Sequence, residues 1–233
     1  MGVKNWHYVK SRRSTSMKIV AFIPIKLNNE RLPGKNVKRF SNGVPLLTFA
    51  LNTALKIKLI DEVYCYCSSN EVAEHLPEGV KLLIRPKSLD LSSATGTDLV
   101  TSFAKQIEAD VYIKIHCTAP FLSTNSIMKG LKAVIDNGYD SALTAEKHNA
   151  FLWSDGKPKN YDSKNIPRTQ DLEPFYTETT GMYIYRKTVV EQGRRVGENP
   201  FLIEVDKIEA TDIDYAIDFK IADAILAHVL NNQ

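Results

Sequence analysis

The run Ile19-Val20-Ala21-Phe22-Ile23-Pro24-Ile25, followed by Lys26-Leu27-Asn28-Asn29-Glu30-Arg31-Leu32-Pro33-Gly34-Lys35-Asn36, decides how the rest of the chain is read. Its apolar half is rich in β-branched residues and shows no polar alternation, the pattern of a strand buried on both faces. The strand stops at a loop carrying Lys26, Arg31 and Lys35 around the turn pair Pro33-Gly34. In an α/β chain, ligands bind at the carboxyl ends of such strands. The loop has neither the Gly-x-Gly-x-x-Gly of dinucleotide folds nor the Gly-Lys-Ser/Thr ending of a P-loop. It is therefore either a solvated turn or a place where backbone amides and Lys35 neutralise phosphates. A nucleoside triphosphate is the working expectation for it.

Outward from that loop, Pro45 opens an amphipathic helix with Leu46, Leu47, Ala50, Leu51, Ala54 and Leu55 on one face. Residues 62–67 read as a second strand, 71–76 as a short helix and 80–84 as a third strand, closed by Arg85-Pro86. After a loop over 88–96, Thr97 is expected to cap a helix with Leu99, Val100, Phe103, Ala104 and Ile107 at helical spacing. Residues 111–115 form another buried strand, Ser123 or Thr124 starts a helix ending before Gly138, and strands follow at 141–145 and 182–185. Asp212-Ile213-Asp214 precedes a last helix with Phe219, Ala222, Ile225, Leu226 and Val229 inward. This alternation predicts a three-layer α/β domain with a mostly parallel sheet. Residues 146–180 break the pattern. Their aromatics, Phe151, Trp153, Tyr161, Phe175 and Tyr176, have no core of their own, so the stretch is expected to be an arm that pairs two subunits into a homodimer.

The 233 residues suit one sizeable domain, with a net charge of +3. Residues 1–16 hold four basic side chains and no acidic one, so the remainder is close to neutral. A nucleic-acid binder would carry its basic face on the folded body. The leader lacks an apolar h-region and no later run is long enough to span a membrane. Residues 1–16 are accordingly expected to be a poorly ordered extension and 17–233 a single domain. Cys65, Cys67 and Cys117 lie in strand-like runs, which favours buried reduced thiols and a cytoplasmic home, with no sulfur-bound metal.

Three further signals carry chemistry. Asp212 and Asp214 are two apart on an extended segment, so their carboxylates share a side. That pair suits a hard, oxygen-liganded cation such as magnesium bridged to phosphate, or else Asp214 caps the last helix. Arg168, in Arg168-Thr169-Gln170-Asp171-Leu172-Glu173-Pro174, can take a carboxylate through its fork or pair with Asp171. His116, at the end of a central strand, faces either the cleft or the core.

Taken together, these segments resemble the sugar-acid cytidylyltransferases, which include the CMP-sialic acid and CMP-Kdo synthetases. The resemblance runs from Met17 to Leu230. The stretch Ile23-Pro24-Ile25-Lys26 to Lys35-Asn36 is similar to their nucleotide-binding signature, and Glu30-Arg31-Leu32-Pro33-Gly34-Lys35 to the form found in the Kdo branch. Arg85-Pro86 with the loop to Thr97 is similar to the segment framing the cytidine. Thr118-Ala119-Pro120-Phe121 resembles their Thr-Ser-Pro-Leu loop. Arg168-x-Gln170-Asp171-Leu172-x-Pro174 with Tyr176 and Gly181 resembles the acceptor and dimer segment of the sialic-acid branch, and Asp212-Ile213-Asp214 the metal-binding Asp-Ile-Asp.

The resemblance implies a Rossmann-like nucleotide-diphospho-sugar transferase fold and transfer of CMP from CTP to a 2-keto sugar acid, releasing pyrophosphate. It places Lys26, Asn29, Arg31, Lys35 and Asn36 on the triphosphate or ribose, and Arg85 and Thr97 on the cytidine. Asp212 and Asp214 would hold magnesium, with Lys35 joining them in catalysis. His116, Arg168, Gln170 and Tyr176 would meet the sugar, Arg168 at its carboxylate. This chain departs from the family in four places. Lys26 replaces an arginine, Glu30 stands where phosphate binding calls for a base, and His116 and Leu122 replace the Gln and Arg around the acceptor loop. Transfer to another acceptor such as Kdo, and a non-catalytic nucleotide-binding role, are the alternatives.

Overall fold

In the computed structural model, which describes residues 17–230, the apolar run forms β1 (Ile19–Ile25) and its side chains alternate between two cores. Ile19, Ala21, Ile23 and Ile25 pack with Leu47, Leu51, Ile127 and Leu131 on one face, and Val20 and Phe22 pack with Val100, Phe103 and Val190 on the other. Each such side chain stabilises the fold by about 1.5–3 kcal/mol when buried. An exposed ion pair such as Lys26–Glu30 contributes at most about 1 kcal/mol. The strand, then, and not the loop's surface charges, sets where the basic loop begins. The expected extension at 1–16 lies outside the described residues.

The chain continues through α1 (Leu46–Leu55), β2 (Glu62–Cys67), β3 (Val80–Ile84), α2 (Gly96–Ala104), β4 (Val111–Ile115), α3 (Thr124–Asp136) and β5 (Ser141–His148). A small hairpin, β6 (Trp153–Ser154) and β7 (Lys157–Pro158), precedes β8 (Phe175–Arg186), α4 (Lys187–Glu191), β9 (Pro200–Val205) and α5 (Ala216–Ile225). Seven of these strands make one sheet in the order β3-β2-β1-β4-β8-β5-β9. Neighbours are parallel except β8, which runs antiparallel to both β4 and β5. With helices on both faces this is a Rossmann-like α/β sandwich. The chain leaves β1 toward β2 and β3, then returns to β4 on β1's other side. That reversal makes a switch point at the carboxyl ends of β1 and β4, where the crossovers diverge and leave a crevice.

Several local expectations change. Residues 70–75 form a 3₁₀ turn (Asn70–His75) rather than an α-helix, started by Ser69 Oγ accepting from the Glu71 amide. Thr95, not Thr97, caps α2: its hydroxyl accepts from the Asp98 amide while the Asp98 carboxylate accepts from the Thr95 amide. This reciprocal box satisfies two backbone donors at once, which a cap at Thr97 would forfeit. Ile107 lies beyond the end of that helix. The helix at 216–225 is not capped by Asp214. Instead the Asp218 carboxylate accepts from the amides of both Asp214 and Tyr215, which leaves the Asp214 side chain free for other work. β9 was not anticipated; its alternation of partly exposed and buried residues, as at Leu202 and Ile203, suits an edge strand.

The stretch 146–180 is more regular than expected. Its two ends extend β5 and β8 as a ribbon, with Glu146, Lys147 and His148 opposite Thr177, Tyr176 and Phe175. The register shifts between Leu143 and Ala145, and opposite that shift Thr180 takes φ 57°, a costly conformation for a β-branched residue. At the ribbon's outer end Phe151 and Trp153 contact Tyr161 at ring distances of 4.7 and 6.4 Å. Trp153 nevertheless remains 59% exposed. Among the described residues, no helix is long and apolar enough to cross a membrane.

Candidate functional site

The basic loop turns at Gly34, whose φ of 66° is the left-handed conformation that glycine adopts freely. That turn drives Lys35 and Asn36 inward, where both are buried. Asn36 ties the loop to the switch point: its side-chain amide donates to the Lys26 carbonyl at 2.7 Å, and its carbonyl accepts from the Cys117 thiol at 3.2 Å. Lys35 reaches across to the far end of the sequence. Its Nζ donates to the Ile213 carbonyl at 2.7 Å and lies 3.1 Å from Asp214 Oδ1. Arg31 Nη1 donates to the other Asp214 oxygen at 2.5 Å, and its guanidinium lies over the Tyr215 ring. The Asp212–Asp214 segment is pinned to the switch point by the Ile213 amide, which donates to the Thr118 carbonyl at 2.9 Å.

The structure thus brings Lys35, Asn36, Arg31, Asp212 and Asp214 together around the end of β4. Desolvation raises the Asp212 carboxyl above its ordinary range; a Thr118 hydrogen bond opposes this, and the neighbouring Asp214 charge adds to it. A cation between the two carboxylates would relieve that repulsion. Among the described residues no three acidic, cysteine or histidine side chains gather to hold a metal; two carboxylates alone suit a magnesium ion, which would keep waters and take its other ligands from phosphate. In the chain alone, Asp214 spends both oxygens on Lys35 and Arg31. Glu30 does not intrude: it is 77% exposed and only 3.7 Å from Lys26, at the rim.

Arg85 sits just beyond β3, buried, with Nη2 2.7 Å from Asp90 Oδ1; Asp90 in turn accepts from the Ser68 hydroxyl. One of its donors, Nε, is sealed from solvent without a partner. Only two other described side-chain atoms share that condition, Asn29 Oδ1 and His116 Nε2. Buried polar atoms left unpaired cost stability unless something fills them. All three belong to residues singled out from sequence. Burial, reinforced by the positive charges of Lys114 and Lys35, pushes the His116 imidazole down to about 3, so it stays neutral at ordinary pH and keeps one donor and one acceptor.

Not every expected residue joins the cluster. Thr97 lies in the first turn of α2. Arg168 is 72% exposed on the arm, and both arms of its fork are taken by Asp171, at 2.7 and 3.0 Å. Gln170 and Tyr176 are exposed on the same arm. No hydrogen bond or ion pair among the described residues links these three to Lys35 or Asp214. One residue near the site was given no role from sequence. Lys114 lies within the buried strand β4 and is 3% exposed. A lysine inside Val-Tyr-Ile-Lys-Ile was the available signal. The cysteines are free and buried, and burial pushes the Cys117 thiol up to about 12, so it is an inert thiol.

A family model described as cytidylyltransferase matches residues 20–231. N-acylneuraminate cytidylyltransferase A of Danio rerio is 26% identical over 222 residues, covering 91% of this chain and 51% of that protein. The chain therefore spans about half the length of that relative. The 3-deoxy-manno-octulosonate cytidylyltransferase of Christiangramia forsetii is 28% identical over 190 residues, covering 74% of this chain and 75% of that protein. Among solved structures, CMP:2-keto-3-deoxy-manno-octonic acid synthetase complexed with CTP superposes with a TM-score of 0.68. At 18% identity over 90% of this chain and 98% of that one, it shares the fold.

Proposed function

This chain belongs to the cytidylyltransferase family, and we propose that it couples CTP to a 2-keto sugar acid of the nonulosonic type, giving a CMP-sugar and pyrophosphate. The observation that carries this is the Lys35–Asp214 pair beside the switch point, together with three sealed, unpartnered atoms on Asn29, Arg85 and His116, in the segments that follow β1, β3 and β4. A buried guanidinium donor and a neutral imidazole left unpaired beyond the ends of parallel strands suit a ligand with a polar heterocycle and a charged tail.

In this scheme Arg85, held by Asp90, offers Nε to the cytosine, with Thr97 beside it. Lys26, Asn29, Arg31, Lys35 and Asn36 meet the ribose and triphosphate. Asp212 and Asp214 would hold magnesium, which supplies positive charge against the phosphates as pyrophosphate departs. The anomeric hydroxyl of the acceptor attacks the α-phosphorus, so the protein's work is positioning and charge neutralisation, with no covalent intermediate. Arg31 must release Asp214 to reach phosphate; in the free chain it shields that carboxylate. His116, Arg168, Gln170 and Tyr176 are assigned to the acceptor. For Arg168 this requires separation from Asp171. Buried reduced thiols fit a cytoplasmic place of work.

Purified protein with CTP, magnesium and a panel containing N-acetylneuraminic acid, other nonulosonic acids and Kdo is expected to release pyrophosphate with at least one nonulosonic acid. Release with none of them would reject the proposal; release with Kdo alone would move the acceptor to the second named branch. The exposed Trp153, Phe151 and Tyr176 of the arm support a homodimer, with the arm as its contact. Light scattering at micromolar concentration should give twice the chain mass, and a monomer there would contradict the dimer.

A further inference from the structure

Lys114 stands on the face of β4 that also carries Tyr112 and packs against α2, and its charge and that of Lys35 both act on His116. Its ammonium lies 4.6 Å from the Tyr183 ring centre, and it makes no hydrogen bond or ion pair with a described residue. That ring also meets a second cation, Arg195, which donates to the Tyr183 hydroxyl at 2.8 Å and pairs with Glu178. Lys114 also reaches the start of α2. A Cβ on Gly96 would stand 2.5 Å from its Nζ, so a side chain there would have to push the ammonium aside.

That arrangement is electrostatically wrong for an empty protein. The amino end of a helix carries partial positive charge, and the capping box of Thr95 and Asp98 leaves the Gly96 and Thr97 amides without acceptors among the described residues. A buried ammonium aimed at it adds like charge to like, and the neutral ring beneath offsets little of the cost of burial. His116 Nε2, sealed and unpartnered, belongs to a residue that continues the same strand, and its ring is 6.3 Å from Tyr183. An oxygen anion held by both the Lys114 ammonium and the α2 amides would offset their like charges. Arg168 cannot serve the same end while Asp171 holds its fork.

We propose that Lys114 and the Gly96 and Thr97 amides form an oxyanion subsite for the reacting pair. It would accept either a phosphate oxygen of the nucleotide or the carboxylate of the sugar acid. Burial and the nearby Arg195 charge hold the free ammonium down to about 8, and an arriving anion would reverse that shift. The inference rests on the activity proposed above and adds to it a residue and the chemical group it receives.

The test compares the full chain with Lys114→Met, which keeps an unbranched stem and removes the charge. Binding of CMP, cytidine, N-acetylneuraminic acid and Kdo is measured by calorimetry, the two sugars with cytidine present. If phosphate is the anion, the preference for CMP over cytidine falls about tenfold or more in the variant. If carboxylate is the anion, that preference holds and sugar-acid affinity falls by about the same factor. Both quantities within about twofold of the parent protein would overturn the proposal. The melting temperature of Lys114→Met should equal or exceed that of the parent, because an unpaired buried charge is gone; a lower one with unchanged binding would mean a structural lysine and also overturn it. Gly96→Ala provides the second variant: its methyl displaces the ammonium without removing it, and the same ligand should be weakened. A parent protein that binds none of the four ligands would count against the activity itself, whereas normal binding by both variants would count against Lys114 alone.

Discussion

Asp214→Ala is expected to lower turnover by about a thousandfold or more, the scale lost when charge stabilisation at a phosphoryl centre is removed. Asp214 is where the two halves of the site meet. Its oxygens accept from Lys35 and Arg31, residues more than 170 positions away in sequence, and it is one of the two carboxylates assigned to magnesium. The fold should survive the change. The Asp214 side chain is 41% exposed, and the buried Lys35 ammonium that loses it keeps its hydrogen bond to the Ile213 carbonyl. The peptide bond to Ile213 remains anchored on Thr118, and the Asp218 carboxylate still accepts from the backbone amides that open α5. Pyrophosphate release and a melting curve on one preparation check both halves of the expectation. Near-normal activity would remove Asp214 from the mechanism.

Lys35→Met should cost about a hundredfold to a thousandfold in kcat/KM for CTP, or about 3–4 kcal/mol of transition-state stabilisation. Lys35 differs from the other cations of the loop because it is buried and its ammonium is held by the Ile213 carbonyl as well as by Asp214. A charge fixed in this way needs no reorganisation as charge builds on the departing phosphates. Methionine preserves the apolar stem and leaves the Ile213 carbonyl without its donor, so stability should fall by about 1–3 kcal/mol. The diagnostic readout is selectivity: affinity for CTP should drop while affinity for cytidine stays near the parent value. Equal losses for both ligands would mean that the lysine braces the fold rather than meeting phosphate.

Much of this protein was legible from residue pattern. β1 announced itself because burial on two faces demands an unbroken apolar run, and Ile19 to Ile25 supplies one. The Asp212–Asp214 pair was visible because alternate residues of an extended segment share a side. Pattern failed where local signals compete. Two threonines stood near the start of α2, and only Thr95 has an acidic residue three positions later to close the capping box. The ends of the arm looked irregular because partly exposed ribbon strands carry polar and apolar residues without a core-facing stripe. Lys114 drew no role from pattern, since nothing nearby in sequence shows what a long side chain will reach.

By itself the sequence determined the layered α/β class, the basic loop at the end of its first strand and the acidic pair before its last helix. These follow from periodicity and turn chemistry, which act over a few residues. The tertiary structure alone decided that β8 enters the sheet antiparallel between β4 and β5, that Lys35 closes on Asp214, and that Lys114 reaches Gly96 at the start of α2. Each of these depends on which distant segments the packing of two cores brings to the same sheet edge, and no local pattern encodes that.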